Sequence, residues 1–142
     1  MRQRKTAREK LHVNNDLPKI KPAPKIWGGG IMVNAHPTNI DFIMKQVPEG
    51  KLITIDEIRS QLAKKHNADV CCPLTTGIFI TVSAATSQED KAEGKSIYTP
   101  YWRTLKKKGE VNAKFPGGIG MHKQLLEAEE HTVLERGKRF FC

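Results

Sequence analysis

The sequence predicts an α+β fold that is mainly helical and that forms one compact domain. Its 142 residues are enough for a single hydrophobic core and leave little room for a second one. With 38% hydrophobic and 27% charged residues, the composition is that of a chain that folds. Apolar residues recur at helical spacing through the middle of the chain, and an aromatic, β-prone segment follows them. A helical body with a small β element behind it is therefore expected.

The first residues are predicted to form a basic arm in front of that body. Residues 1–25 carry 8 Lys or Arg against 2 Asp or Glu, and closely spaced prolines favour an extended backbone there. The glycines at 28–30 lack the Lys-Ser or Lys-Thr of a phosphate-binding P-loop, so they predict a flexible entry into the body. We expect residues 1–30 to form a mobile arm that is basic and contains Pro and Gly, and residues 31–142 to form the folded domain.

Three helices are expected in the first part of this domain. Thr38 with Asp41 three residues later is typical of a helix start, and Thr54 with Glu57 forms a capping box for a second helix. Pro73 suits the first position of a third helix. The residues expected on one face of this third helix are Leu74, Gly77, Ile78, Thr81, Val82 and Ala85. Because a short connection joins the second and third helices, the pattern predicts a helix-turn-helix.

A β element and a basic turn are expected after the helices. The segment 97–105 is aromatic and β-prone, and Lys106–Lys108 with the next glycine indicates a turn. A β-turn of this kind beside a helix-turn-helix is typical of a wing. A last helix over 122–130 and a small hairpin around Arg136-Gly137 complete the chain. The predicted architecture is a winged helix-turn-helix with a small β wing and a C-terminal helix and hairpin.

Charge and composition narrow the classes of partner. The formal net charge is +9, and besides the arm, residues 95–114 carry 6 Lys or Arg against 1 Asp or Glu. Two basic segments indicate a polyanion partner, because lysine and arginine release counterions when they neutralise phosphates. The apolar runs are far shorter than the roughly 20 residues of a membrane span, and no secretory signal follows the first residues. We therefore expect no membrane partner and a cytoplasmic location, associated with the nucleoid if the source is bacterial.

The cysteines and histidines show no pattern that indicates a metal or a cofactor. Three cysteines, two of them adjacent, suit a reducing cytosol better than a disulfide framework. Cys71 and Cys72 lack the Cys-x-x-Cys spacing of a zinc site, and His36, His122 and His131 are scattered without carboxylates at triad-like spacing. The sequence therefore predicts no catalytic residue, no metal and no cofactor.

Several short motifs occur in an order that resembles a known family. They are 47–51, 54–58, Gly77, 100–104 (Pro-Tyr-Trp-Arg-Thr), 116–118 (Pro-Gly-Gly), Lys123 and 125–129 (Leu-Leu-Glu-Ala-Glu). In order and spacing they resemble the DNA-binding domain of methylated-DNA–protein cysteine methyltransferases and that of their non-reactive relatives, the alkyltransferase-like proteins. The resemblance covers residues 37–135 and implies a winged helix-turn-helix that binds DNA.

Four positions depart from the pattern of that family. Tyr101 stands where the reactive family has its alkyl-accepting cysteine, and Trp102 stands where it has the neighbouring histidine. Ile55 aligns with a tyrosine that helps to rotate the nucleotide, and Leu74 aligns with an arginine that fills the vacated stack. A phenol with a pKa of about 10 is a poor nucleophile at neutral pH, so no alkyl transfer is expected at this position. An aliphatic side chain at 74 can still enter a base step as a wedge.

Together, the charge, the motifs and the resemblance predict a non-catalytic DNA-binding protein that resembles alkyltransferase-like proteins and senses alkylated guanine for DNA repair. We expect a monomer whose partners are double-stranded DNA, alkylated DNA included, and a repair protein. The residues expected to contact DNA are Leu74, Thr75, Thr76, Tyr101, Trp102, Arg103, Lys106, Lys107 and Lys108.

Two alternatives stay open at this point. The first is an alkyl-acceptor enzyme that uses Cys71 or Cys72, which precede a predicted helix whose dipole can lower a thiol pKa. The second is a protein-interaction domain that has kept the fold and lost DNA binding.

Overall fold

The computed structural model describes residues 7–11, 17–96 and 98–142 and shows an α+β arrangement. The helices are α1 (Ala7–Leu11), α2 (Pro37–Lys45), α3 (Ile55–Lys65), α4 (Pro73–Ala92) and α5 (Gly118–Ala128). The strands are β1 (Lys19–Pro22), β2 (Ile31–Asn34), β3 (Ile53–Thr54), β4 (Val70–Cys71), β5 (Thr104–Leu105), β6 (Leu134–Arg136) and β7 (Arg139–Phe141). Within these described ranges, no helix has the length and apolar content needed to cross a bilayer.

The starts of the three central helices follow local sequence signals. Thr54 accepts a hydrogen bond from the Glu57 amide while the Glu57 carboxylate accepts one from the Thr54 amide, which confirms the capping box of α3. Pro73 is the first residue of α4, as predicted. Helix α2 starts two residues earlier than expected from Thr38, because His36 is the N-cap and its ring accepts a hydrogen bond from the Thr38 amide.

Helix α4 packs against both α1 and α2. The side chains that it buries are mainly small or hydroxylated: Thr76, Ile80, Ser83, Ala84, Thr86 and Ser87. Small residues let neighbouring helices approach closely, so this stripe faces inward in place of the apolar face that the spacing suggests. Leu74 and Ile78 instead point outward and are 66% and 59% exposed.

The connection between α3 and α4 covers residues 66–72 and contains β4. This is longer than the roughly 3–4-residue turn of a standard helix-turn-helix. The pair of packed helices that the sequence predicts is present, and the more specific winged helix-turn-helix assignment stays a prediction.

Part of the expected arm belongs to a sheet of order β1-β2-β4. Residues 19–22 pair antiparallel with residues 31–34, and β2 pairs parallel with β4. This pairing crosses the domain boundary expected after residue 30, so the segment 19–22 is a strand of the domain rather than a mobile arm. Residues 1–6 and 12–16 of the expected arm lie outside the described residues.

The β-prone segment before the basic turn folds differently from the expected strand. Residues 101–103 form a 3₁₀ turn, and only Thr104 and Leu105 form a strand, β5, which pairs parallel with β3. The Arg103 amide donates to the Pro100 carbonyl inside this turn. The expectation of a strand is therefore wrong for Tyr101 and Trp102, which lie in the 3₁₀ turn. The predicted C-terminal hairpin is confirmed as β6–β7.

Candidate nucleic-acid interface

The carboxylate of Glu129, at the end of α5, accepts hydrogen bonds from three residues in two other parts of the chain. Arg103 donates from Nε at 3.0 Å and from Nη2 at 2.7 Å, and the Trp102 indole Nε1–H donates at 2.9 Å. The backbone amide of Gly50 donates a longer bond at 3.4 Å. The remaining Arg103 nitrogen Nη1 donates to the Val47 carbonyl at 2.8 Å. Glu129 thus ties α5 to the 3₁₀ turn and to the loop after α2.

The 3₁₀ turn makes this arrangement possible because it directs two successive side chains, Trp102 and Arg103, toward α5. Burial raises the pKa of the Glu129 carboxyl, but the hydrogen bonds from Arg103, Trp102 and the Gly50 amide outweigh it, so this pKa lies below its usual value. The side chains of Glu129 and Arg103 are only 8% and 14% exposed. Glu129 is therefore ionised at neutral pH and fully occupied by its partners.

The network holds no general base for a nucleophile. The indole nitrogen of Trp102 can only donate a hydrogen bond, so it cannot accept a proton from a neighbouring group. The carboxylate of Glu129 is neutralised by Arg103, which removes its tendency to take up a proton. As arranged, neither Trp102 nor Glu129 offers a proton acceptor to a neighbouring thiol or phenol.

Tyr101 lies beneath the surface and is 4% exposed. Its ring makes edge-to-face contacts with Trp102 at 5.5 Å and with Phe115 at 5.3 Å between ring centroids. Burial, with a smaller effect of Tyr98, raises the pKa of the Tyr101 phenol above its usual value. The Tyr101 ring is thus part of the core and its hydroxyl stays protonated at neutral pH.

His122 is a buried structural residue to which the sequence analysis assigned no role. Its ring is 0% exposed, accepts from the Asn112 amide at Nδ1 (3.1 Å) and donates from Nε2 to the Trp102 carbonyl at 2.8 Å. Burial lowers the pKa of His122, although its two backbone hydrogen bonds act in the opposite direction. The available signal was helical spacing, since positions 122, 126 and 129 lie on one side of α5.

The predicted contact residues at the start of α4 have three different environments. Leu74 is exposed and Thr75 is half-buried. Thr76 is fully buried, and its hydroxyl donates to the Cys72 carbonyl at 2.6 Å. Thr76 therefore supports the helix start from inside, and Leu74 is the side chain that this turn presents to solvent.

Cys71 and Cys72 are buried and have opposite electrostatic environments. Burial raises the pKa of Cys71 above that of an ordinary thiol. Burial also acts to raise the pKa of Cys72, but hydrogen bonds from Thr75 and from the Leu74 amide, together with the charge of Lys21, lower it overall. Cys72 is only 5% exposed, so its thiol has the electronic character of a nucleophile without free access.

The start of α3 and the basic turn lie on the same side of the molecule. Thr54 pairs with Leu105, the residue before the three lysines, in the parallel β3–β5 ladder. The next residue, Ile55, approaches Gly77 of α4 to 3.9 Å, measured from the position that a Cβ would occupy at Gly77. Lys106–Lys108 are exposed and form the turn that leads to Glu110. The first turns of α4 and the lysine turn therefore converge around the start of α3.

Among the residues that the structure describes, no group of three or more His, Cys, Asp or Glu is placed to hold a metal ion.

Comparison of the chain with known proteins finds a similarity to a solved structure and no match in sequence. No protein-family model matches the chain, and no curated protein sequence matches it. The chain is similar to a crystal structure of S. pombe Atl1 in complex with damaged DNA containing O6-carboxymethylguanine, at 17% identity and a TM-score of 0.49. The likeness covers 74% of this chain and 85% of that chain. At this level of similarity, the assignment of function depends on the geometry of the chain itself.

Replacing Glu129 by Gln is expected to destabilise the fold by about 3 kcal/mol, because it leaves the buried Arg103 without its counter-charge. Urea unfolding at pH 7 measures the effect. The matched control is Glu130→Gln at the exposed neighbouring position, which should change stability by less than about 0.5 kcal/mol. The pKa of Glu129 is lowered by folding, so its contribution is lost as pH falls below about 4.3, and wild type and variant should converge there. Equal stabilities of the two variants at pH 7 would contradict the network.

Acidification is also expected to weaken the fold through His122. The pKa of this histidine is lowered in the folded state, so its contribution is present above about 6.5 and is lost as pH falls through the folded-state value. Thermal unfolding of the wild type between pH 7.5 and 5 should show this loss, and His122→Gln should remove the pH slope. The control His66→Gln, at the end of α3, should keep it. A wild-type slope that survives in His122→Gln rules out this assignment.

Proposed function

We propose that this chain binds double-stranded DNA without catalysing alkyl transfer, using the start of α4 and the lysine turn Lys106–Lys108. The observation that carries the proposal is the convergence of these two elements around the start of α3. Ile55 contacts the position of Gly77, and its neighbour Thr54 pairs with the residue that precedes Lys106. A helix start and a cationic turn side by side are the two kinds of contact that position a protein on a duplex.

The two elements offer different chemistry to the duplex. The lysines are exposed; Lys106 makes only a 3.8 Å contact with Glu110, which leaves their charge available to phosphates. Helix α4 has no charged side chain from Pro73 to Gln88, and its first turn presents the exposed Leu74. An aliphatic side chain in this position can press against sugars or enter a base step. The proposal therefore assigns phosphate contacts to the lysines and an apolar contact to Leu74, with Thr75 beside it.

In this proposal, the other predicted contact residues do not touch DNA and instead support the surface from the protein interior. The Arg103 guanidinium donates hydrogen bonds to the Glu129 carboxylate and to the Val47 carbonyl. Tyr101 and Thr76 are buried. Trp102 is half-buried, and its indole nitrogen is bound to Glu129. These residues hold the lysine turn and the start of α4 at fixed positions.

A more specific form of the proposal is that the chain recognises alkylated guanine in DNA for repair. It rests on the family resemblance at residues 100–104, and S. pombe Atl1, to which the chain is similar, was crystallised with DNA containing O6-carboxymethylguanine. An everted base that entered beside residue 101 would have to displace the Tyr101 ring from Trp102 and Phe115. Lesion recognition therefore requires a rearrangement of this aromatic cluster.

Replacing Lys106, Lys107 and Lys108 together by Gln is expected to weaken DNA binding equally on all sequences. Each phosphate contact contributes about −0.9 to the slope of log K against log salt, so losing three should make the slope shallower by about 2–3. Titrations of wild type and variant on an undamaged duplex at several salt concentrations measure it. The matched control is Lys64→Gln with Lys65→Gln and Lys91→Gln, at the far ends of α3 and α4, which should leave the slope unchanged. An unchanged slope in the lysine-turn variant overturns the proposed surface.

The same titration on an alkylguanine duplex and on single-stranded DNA tests whether the chain recognises alkylated guanine. Tighter binding to the alkylguanine duplex supports sensing of the lesion. Equal affinity for both duplexes removes lesion recognition and leaves the DNA-binding proposal intact.

No alkyl transfer is expected when the protein is incubated with an oligonucleotide that contains O6-methylguanine. Tyr101 is buried and protonated, and Cys72, whose pKa is lowered, is only 5% exposed. Intact mass spectrometry before and after incubation measures the outcome. A stoichiometric mass gain of one methyl group that disappears in Cys72→Ser would show an alkyl-acceptor enzyme and overturn the non-catalytic assignment.

A further inference from the structure

The C-terminal hairpin β6–β7 is attached to the lysine turn by backbone hydrogen bonds. The Val111 amide donates to the Phe140 carbonyl at 2.8 Å, and the Cys142 amide donates to the Gly109 carbonyl at 2.9 Å. Between them, Glu110 forms a β-bridge with Phe141. These bonds continue the hairpin as a ribbon onto the segment that directly follows Lys106–Lys108.

One side of the hairpin belongs to a hydrophobic cluster. Val133, Phe140 and Cys142 pack against the buried side chains of Leu105, Val111 and Leu126. Burial on this side, together with the backbone bonds, fixes the position of the hairpin relative to the lysine turn. On the other side of the hairpin, Leu134, Arg136 and Arg139 are exposed.

The exposed side of the hairpin is cationic. Arg136, Lys138 and Arg139 are all exposed, and Glu110 is the carboxylate near Arg139, at 3.9 Å. In the described part of the chain, no carboxylate lies within ion-pair distance of Lys107, Lys108, Arg136 or Lys138. The charge of the lysine turn therefore continues along the hairpin.

The register of the hairpin places two arginines directly opposite one another. Arg136 and Arg139 are cross-strand partners, with Lys138 in the turn between them. Like charges at directly opposed positions destabilise a β-ribbon, and Glu110 offsets the charge of Arg139 only. An anion that binds between the strands would relieve the repulsion.

A shallow cavity joins the hairpin to the lysine turn. Its volume is about 270 Å³, and it is lined by Lys108, Leu134, Arg136, Phe141 and Cys142. This is below the roughly 300–1,000 Å³ of typical small-molecule pockets. Lys108 and Arg136 thus face one concave surface that suits a phosphate group of a larger ligand better than a free small molecule.

We propose that the lysine turn and the hairpin form one continuous surface, the hairpin surface (Lys106–Lys108 with Arg136, Lys138 and Arg139), which binds the sugar–phosphate backbone of DNA. The inference rests on the proposed function and lengthens its footprint by the three hairpin cations. DNA is favoured over other polyanions because the hairpin continues the lysine turn, and because a rigid two-stranded ribbon fits along a DNA groove. An anionic membrane is the competing partner, and the test includes it.

The test compares the wild type with a hairpin variant in which Arg136, Lys138 and Arg139 are all replaced by Gln. On an undamaged duplex, the slope of log K against log salt should become shallower by about 2–3, the change expected for three lost phosphate contacts. The melting temperature should stay equal or rise, because the opposed arginines no longer repel each other. The matched control is again the triple Gln variant of Lys64, Lys65 and Lys91, which should keep the wild-type slope.

The outcomes separate this inference from the function on which it rests. If the lysine-turn variant loses salt-sensitive DNA binding and the hairpin variant does not, the hairpin surface is wrong and the proposed function stands. If the wild type binds no duplex near physiological salt, the proposed function itself fails. Binding of the wild type to phosphatidylserine vesicles, lost in the hairpin variant while DNA binding is unchanged, would overturn the inference in favour of a membrane surface. A shallower slope on DNA with an unchanged melting temperature supports it.

Discussion

The carboxylate of Glu129 is the charge on which the arrangement of the candidate interface depends. Removing a carboxylate and a guanidinium from water is costly, and the attraction between the two offsets this cost only when the geometry is good and the remaining lone pairs are filled. Here two bonds from Arg103, one from Trp102 and one from the Gly50 amide meet that condition. Because these donors come from different segments, one ion pair fixes α5, the 3₁₀ turn and the loop after α2 relative to one another.

The parts of the fold that the sequence predicts correctly are set by neighbouring residues. The capping box of Thr54 and Glu57 is complete within four positions, and Pro73 suits a helix start whatever lies around it. The hairpin around Gly137 is local in the same sense. Such signals survive in almost any tertiary context, so sequence reasoning finds them.

The parts of the fold that sequence reasoning misses depend on contacts between distant segments. β-propensity describes how side chains fit a sheet, whereas residues 101–103 pack against α5 and Phe115 and form a 3₁₀ turn. The face of α4 that is buried is decided by how closely α1 and α2 approach, which periodicity cannot show. His122 finds both of its partners in backbone groups, and backbone partners leave no trace in the residue types. The basic turn can be read from three adjacent lysines, but the position of the hairpin beside it cannot, because the backbone bonds that hold the hairpin there join segments distant in sequence.

Two independent features of the site oppose alkyl transfer at position 101. The first is volume, because the Tyr101 ring fills the space between Trp102 and Phe115. A smaller residue there would leave a cavity, at a cost of about 3–5 kcal/mol for a large aromatic side chain. The second is proton transfer, because the donors that saturate Glu129 include an indole that cannot act as a base. A thiol placed at 101 would therefore meet neither an activating histidine nor a free carboxylate. The contacts that fill this space also fix residues 101–103, and β5 joins these residues directly to the lysine turn, so the packing that opposes the chemistry also positions the exposed lysines.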